Sequence, residues 1–243
     1  MSKASHSTRY ASVDIMRGIA IAMMVVFHFC YDLNDFGYIE FDFYHDPFWL
    51  HFRTLILSSF LLLVGLSLQL ATVNGLKPRP YLRRLGQLIV AAAAVSLATY
   101  VMFGERMILF GVLHFIALAS VLGLLFRRLY WGNLVVGVSL LVLDVFYQHA
   151  WFDQKAWHWI GFMTDRPVTL DYVPLLPWFG VVLIGMFLAR LVLAKAWLQG
   201  SGRGKEGPLS RVLSLAGRHG LLIYLVHQPL LYGGFYAVAW LSN

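Results

Sequence analysis

The chain has 243 residues, of which 59% are hydrophobic and 13% are charged, with a mean hydropathy of +0.68. This composition excludes an ordinary soluble domain and predicts a protein embedded in a lipid bilayer. The formal net charge of +7 comes from basic residues between the apolar runs, so it reflects membrane topology and we expect no nucleic-acid binding. The single cysteine, Cys30, excludes an internal disulfide and a cysteine-rich metal site, and we expect no metal.

Apolar runs of about 20 residues recur along the whole chain, and each is long enough to cross about 30 Å of hydrocarbon. They predict an all-α membrane protein, a bundle of about seven transmembrane helices in a single domain over residues 1–243. The predicted spans are 13–33, 48–70, 85–103, 108–126, 131–147, 174–193 and 217–241.

The distribution of Lys and Arg predicts the orientation of this bundle. With a cytoplasmic N-terminus, 15 of the 19 basic residues fall on the inner side and 4 on the outer side. The inner loops 71–84 and 194–211 are then basic, and the outer loops 34–47 and 148–173 are aromatic and acidic. We therefore expect a multi-pass protein with its N-terminus in the cytoplasm, whose first span is its own insertion signal.

Four ionisable side chains lie on one face of the first span. Arg17 and His28 are 11 residues apart. At about 100° per residue, this separation brings the two side chains to within roughly 20° of the same direction around the helix. Asp14 and Asp32 are 18 residues apart, very nearly a whole number of turns. Ionisable groups within a membrane span are costly and usually face a polar cavity or a partner. This stripe is therefore the main candidate for a functional site.

The members of the stripe have structural and functional interpretations. His28 is a candidate general base, and Asp32, one turn further on, would orient its ring and stabilise the imidazolium. Arg17 is either a snorkelling anchor paired with Asp14 or a ligand for an anion that enters from the cytoplasm. Gly18 beside it removes a side chain and would let such a ligand pass close to the backbone.

Other polar residues allow two interpretations each. His114 and His227 lie within predicted spans, where they would either act in catalysis or substrate binding or form interhelical hydrogen bonds. Arg83 and Arg84 would bind phosphates or serve topology alone. The tryptophans of loop 148–173 would form an interfacial belt or stack on sugar rings, beside aspartates that bind hydroxyls or an amine.

Five segments of the chain resemble a known family. They are RYASVDIMRGIA (9–20), FHFCYDL (27–33), FGVLHFI (110–116), DYVPLLPWFG (171–180) and IYLVHQP (223–229). Together they resemble the transmembrane acyltransferase superfamily, and are most similar to its small bacterial branch related to heparan-α-glucosaminide N-acetyltransferase. The resemblance spans residues 9–232, and Arg17 with His28 also matches the Arg-x10-His arrangement of the wider acyltransferase-3 group.

The resemblance implies acyl transfer across the membrane. Cytoplasmic acyl-CoA, usually acetyl-CoA, would be the co-substrate, and an amine or hydroxyl of an extracytoplasmic sugar or glycan would accept the acyl group. The resemblance also implies a location in the bacterial inner membrane. It leaves open whether the protein forms a homo-oligomer. For this chemistry, the site residues that we assign are listed by role: catalytic His28, Asp32 and His114; acyl-CoA-binding Arg17, Asp14, Gly18, Arg83 and Arg84; acceptor-binding His227, Asp171 and Trp178.

Within this chemistry, His28 would deprotonate the acceptor for direct attack on the thioester, or carry the acyl group transiently. His114 would place the acceptor or polarise the carbonyl. Two other classes of protein stay open. A haem-binding electron carrier would use His28 and His114 as axial ligands, and a proton-coupled transporter or flippase would place His and Asp in a central cavity.

Overall fold

The computed structural model describes residues 10–73, 75–165, 171–194 and 207–241. Within these residues it has eight α-helices, two short 3-10 helices and no strand. The α-helices are α1 (Ala11–Asp35), α2 (Pro47–Val73), α3 (Pro78–Phe103), α4 (Val112–Phe126), α5 (Trp131–Phe146), α6 (Leu175–Ala194), α7 (Pro208–Arg218) and α8 (Gly220–Leu241). The all-helical fold is thus confirmed for the described part of the chain.

Five of these helices, α1, α2, α3, α6 and α8, are long and apolar enough to cross a membrane. Helices α4 and α5 are apolar but have only 15 and 16 residues. At about 1.5 Å per residue they are roughly 22–24 Å long, less than a hydrocarbon core of about 30 Å. The chain is an integral membrane protein, and the count of seven spans stays a prediction.

Three predicted boundaries differ from the structure for identifiable reasons. Helix α3 begins at Pro78, inside the predicted loop 71–84, whereas the third span was expected from residue 85. Proline suits the first turn of a helix, where no N–H is needed. The fourth span was expected from residue 108, but α4 begins at Val112 because Gly111, in an extended conformation, caps it. The inner loop 194–211 was expected to lead into a span from residue 217, whereas α7 occupies Pro208–Arg218. Pro208 suits the first position of that helix, where no N–H is needed.

The helices form two compact units, and α2 contributes to both. The first unit is Met1–Ile56 with Val192–Asn243, and the second is Leu57–Leu191. In the first unit α1 packs against α7 and α8. In the second, a core that includes Leu61, Phe115, Val182 and Met186 joins the rest of α2 to α4 and α6. The predicted site residues divide between these two units.

Candidate active site

Close packing of α1 against α7 fixes the N-terminal end of the ionisable stripe. A Cβ atom on Gly18 would lie 2.0 Å from the carbonyl oxygen of Leu213, and one on Gly217 would lie 1.9 Å from that of Asp14. Both positions therefore need glycine because backbone meets backbone there. The prediction that Gly18 leaves room for a passing ligand is wrong, since α7 fills that space.

This packing gathers two guanidinium groups around one carboxylate. Asp14 is only 3% exposed. Its Oδ1 accepts a hydrogen bond from Arg17 Nη1 at 3.0 Å, and its Oδ2 lies 3.5 Å from Arg218 Nε. Arg17 Nη1 also donates to the carbonyl of Gly217 at 3.4 Å. The predicted ion pair of Asp14 and Arg17 is confirmed, and the formal charges of the three side chains sum to +1.

Two histidine rings meet further along α1. The rings of His28 on α1 and His227 on α8 are edge-on, with centroids 4.9 Å apart. His28 is partly buried, and Phe27 covers one side of its ring at 5.7 Å between centroids. His227 is 9% exposed, and its Nδ1 lies 2.7 Å from the carbonyl oxygen of Tyr224. The pairing of His28 with a ring on α8 was not predicted from the sequence.

Asp32 lies one turn beyond His28 and is completely buried. Its Oδ1 accepts a hydrogen bond of 2.8 Å from Nε2 of Gln228, the residue that follows His227. Asp32 was expected to orient the His28 ring, but its carboxylate accepts a hydrogen bond from Gln228 on α8 instead. Any effect of Asp32 on His28 is electrostatic or passes through Gln228.

Three buried polar atoms of Asp32, His227 and Gln228 have no hydrogen-bond partner among the described residues. They are Asp32 Oδ2, His227 Nε2 and Gln228 Oε1. A buried polar atom without a partner costs free energy, so native proteins rarely leave one without a reason. Three of the nine such atoms in the described part of the chain lie together beside one pair of histidine rings, which makes this the candidate site for a polar ligand. We call His28, Asp32, His227 and Gln228 the histidine cluster.

Aromatic side chains of α1, of the loop after it and of the start of α2 pack together in the first unit. Phe27 packs edge-on against Phe43 and Trp49, with ring centroids 5.6 and 5.9 Å away. The hydroxyls of Tyr31 and Tyr44 are 2.7 Å apart. Phe43 and Trp49 are buried, so they form an apolar wall rather than a surface for a sugar.

His114 lies in the second unit, and both of its nitrogens are hydrogen-bonded. Nδ1 accepts from the backbone N–H of Gly111 at 3.3 Å. Nε2 is 3.2 Å from Ser96 Oγ, which itself donates to the carbonyl of Ile108 at 2.6 Å. Nε2 therefore carries the hydrogen of the neutral ring and donates it to Ser96. These bonds support the interhelical interpretation and do not favour the catalytic role predicted for His114.

The two expected acceptor ligands of the second unit have structural contacts. Oδ2 of Asp171 accepts from the backbone N–H of Val112 at 3.2 Å, so this carboxylate caps the first turn of α4. Trp178 is partly buried and packs against the core that contains Phe115. Acceptor binding by Asp171 and Trp178 stays a prediction that these contacts do not favour.

The outer loop after α5 is held by its own side chains. Trp151 and Trp157 stack on each other with centroids 4.5 Å apart. The hydroxyl of Thr164 donates to Asp153, and with the backbone N–H groups of Thr164 and Asp165 it holds the pKa of Asp153 below its usual range. The carboxylate of Asp153 is therefore occupied by hydrogen bonds from its own loop.

Arg83 and Arg84 are exposed on the first turns of α3. With Arg79, Pro80 and Gln87 they line an open depression. A group of three guanidinium ions around a depression suits phosphate, but binding of acyl-CoA by Arg83 and Arg84 stays a prediction beside the interpretation that they serve topology alone.

One family model matches this chain, and its description is the catalytic domain of heparan-alpha-glucosaminide N-acetyltransferase. The match covers residues 9–229. The chain belongs to this family. The predicted resemblance is thereby confirmed. Membership of this family makes the chain a membrane acyltransferase of the acetyltransferase kind. Neither a curated protein nor a solved structure matches it.

Two residues of the site were missed by the sequence prediction. Gln228 was passed over although it stands in the segment that carries the family resemblance, and Arg218 was assigned to topology alone. Both meet stripe residues about 200 positions earlier in the chain, since Gln228 and Asp32 are 196 residues apart. The polar His227-Gln228 pair inside an apolar span was the available signal for Gln228.

Proposed function

We propose that the protein transfers an acyl group, normally acetyl, from cytoplasmic acyl-CoA to an amine or hydroxyl of an extracytoplasmic sugar or glycan. Family membership supports the class of reaction. The single observation that carries the site is the histidine cluster, in which two histidine rings and a buried carboxylate meet beside three unpartnered polar atoms. The protein would act in a bacterial cytoplasmic membrane with its N-terminus inside.

The length of the donor fits the stripe on α1. Arg17 and His28 are 11 residues apart, about 16 Å at roughly 1.5 Å per residue. The pantetheine arm of CoA has a comparable extended length of about 15–20 Å. Arg17 and Arg218, which share Asp14, would hold an anionic group of CoA at the inner end while the thioester reaches His28. Arg83 and Arg84 would attract the phosphates from the cytoplasm.

His28 is the group that we place at the thioester. It either removes a proton from the acceptor during direct attack or attacks the carbonyl carbon itself and carries the acyl group. In both versions a bond to the acyl carbon forms, the carbon–sulfur bond breaks and CoA leaves as a thiolate. The buried carboxylate of Asp32, one turn away, stabilises positive charge on the His28 ring.

Inverted membrane vesicles test this function because they present the cytoplasmic side to the medium. Vesicles are loaded with glucosamine and given acetyl-CoA labelled in the acetyl group, and both N-acetylglucosamine inside and free CoA outside are measured. We expect the two products to appear in equal amounts with the wild-type protein and not with His28→Ala. Movement of glucosamine across the membrane without release of CoA would contradict acyl transfer and support a transporter.

The proposed orientation has its own test. Single cysteines are placed in the Cys30→Ser background, one at Gln87 beside the basic depression and one at Gln154 in the outer loop. In intact cells an impermeant thiol reagent should label the cysteine at position 154 and spare the one at position 87. The reverse pattern would show that acyl-CoA cannot enter from the cytoplasm at Arg83 and Arg84.

A further inference from the structure

We propose that His227 is the base that removes the proton from the acceptor, and that Asp32 and Gln228 bind the other hydrogens of the same acceptor group. This inference rests on the proposed acyl transfer and assigns a second histidine to it. It starts from the hydrogen bonds of His227, Asp32 and Gln228, which determine where lone pairs are left unused.

The backbone determines the tautomer of His227. A carbonyl oxygen only accepts hydrogen bonds, so the 2.7 Å contact of His227 Nδ1 with the Tyr224 carbonyl places a hydrogen on Nδ1. In the neutral ring Nε2 then has a lone pair and no hydrogen. That nitrogen is buried and has no partner among the described residues. It is a base held in one orientation, with its accepting atom unused.

The other two unpartnered atoms are acceptors as well. Gln228 donates its Nε2 to Asp32 Oδ1, which leaves its carbonyl oxygen Oε1 unpartnered, and the second carboxylate oxygen Oδ2 of Asp32 is also unpartnered. Nothing in this set donates a hydrogen bond to a ligand. The complementary ligand therefore supplies several hydrogens, as an amine or the hydroxyls of a sugar do. A carboxylate or phosphate would find no donor at these three atoms.

This arrangement divides the work between the two histidines. The acceptor nitrogen or oxygen attacks the acyl carbon and forms the new bond, and its proton passes to Nε2 of His227. His28 acts before this step: its ring nitrogen takes the acyl group from the CoA sulfur, which leaves as a thiolate. When the acceptor attacks, the bond between the acyl carbon and the His28 nitrogen breaks and gives its electron pair to that nitrogen. Protonated His227 then returns its proton to the thiolate or to water, so the cycle closes without a further reactant.

Two substitutions at position 227 separate a base from a positioning group. The side-chain amide of His227→Asn can still donate to the Tyr224 carbonyl but has nothing in place of Nε2. His227→Gln can place an amide oxygen near the Nε2 position, where it accepts a hydrogen bond but does not take a proton at neutral pH. His219→Asn is the matched control, since the ring of His219 lies on a backbone carbonyl, that of Leu215, but is exposed.

The experiment uses purified full-length protein in proteoliposomes with acetyl-CoA and glucosamine. We expect kcat to fall by about 10²–10⁴-fold in both His227 variants, with acetyl-CoA binding by calorimetry unchanged, and the His219 variant to match wild type. Added imidazole should restore part of the activity of His227→Asn, the variant that lacks a group in place of Nε2.

Two outcomes would overturn the assignment. Turnover within about threefold of wild type in His227→Gln would show that Nε2 only accepts a hydrogen bond, and wild-type turnover in His227→Asn would make His227 structural. Retained acetyl-CoA binding shows that the variants are folded. Failure of the wild-type protein to acetylate glucosamine or membrane glycans would instead contradict the proposed function, and is thus distinguishable.

Discussion

His227 and His114 are both anchored through Nδ1, but the two hydrogen bonds run in opposite directions. At His227 the ring nitrogen donates to a carbonyl, which leaves Nε2 as a buried acceptor without a partner among the described residues. At His114 the ring nitrogen accepts from a backbone N–H, so Nε2 carries the hydrogen and donates to Ser96. The first ring keeps an unused lone pair, and the second has both nitrogens occupied.

The difference shows that depth and residue type alone do not identify a catalytic histidine in a membrane helix. Both residues lie in apolar helices and both are at least partly buried. What separates them is whether the neighbouring backbone leaves a nitrogen available for chemistry. An axial haem ligand would need the same availability, which the hydrogen bonds of His114 do not provide.

Outside the two histidines of the cluster, the largest effect is expected from the carboxylate of Asp32. Asp32→Asn keeps an oxygen that can accept from Gln228 but removes the charge. We expect kcat for acetyl transfer to fall about 100-fold, or roughly 2.8 kcal/mol of transition-state stabilisation. Asp35→Asn, an exposed change on the same helix, is the control. Equal activity of the two variants would remove Asp32 from the mechanism.

The next effect is expected at the inner end of the stripe, where binding rather than chemistry changes. Arg17→Gln should weaken acetyl-CoA binding about 10- to 150-fold, because a hydrogen bond to a charged group is worth roughly 1.5–3 kcal/mol. Arg17→Lys keeps the charge and should lose less. Calorimetry with CoA measures both. An unchanged Kd in Arg17→Gln would mean that Arg17 serves only the packing of α1 on α7.

For His114 we expect an effect on stability and little on chemistry. His114→Ala leaves the partners of both ring nitrogens without their bonds, which should cost about 1–3 kcal/mol in unfolding free energy. The transfer rate per folded molecule should stay within about threefold of wild type. Thermal unfolding and active-site-normalised turnover separate the two quantities. A 100-fold loss of turnover in folded protein would restore the catalytic role predicted from sequence.

The mildest effect is expected at the exposed arginines of α3. Replacing Arg83 and Arg84 together by Gln should raise the apparent Kd for acetyl-CoA a few-fold at low salt. The loss should fade at physiological salt, where charges are screened beyond about 8 Å. Arg128→Gln, an exposed arginine outside the depression, is the control. A loss that is independent of ionic strength would indicate direct contact with the phosphates.

Helical periodicity was enough to predict the stripe on α1, because residues of one helix are related by a fixed rotation. It could not predict the partners that α7 and α8 bring to that stripe, since Arg218 and Gln228 lie about 200 residues from the side chains they meet. Helix α7 was missed because it is short and amphipathic rather than uniformly apolar, with Leu209 and Val212 exposed and Ser214 buried.

Gly18 is a different case: its lack of a side chain matters in the structure, but for a reason other than the one predicted. The absence of a side chain was taken as room for a ligand, but the structure uses it for contact with the carbonyl of Leu213. A glycine in a sequence indicates a close approach without saying what approaches. Only the packing of α1 on α7 resolves that choice.

The central claim is that acyl transfer depends on the histidine cluster of the first unit, and its most direct test is the rate of acetyl transfer in His28→Ala and His114→Ala measured side by side. Both are assayed as purified protein with labelled acetyl-CoA and glucosamine, normalised to acetyl-CoA-binding sites. We predict a loss of at least about 10²–10⁴-fold in His28→Ala and turnover within about threefold of wild type in His114→Ala. Near-normal transfer by folded His28→Ala would contradict the account.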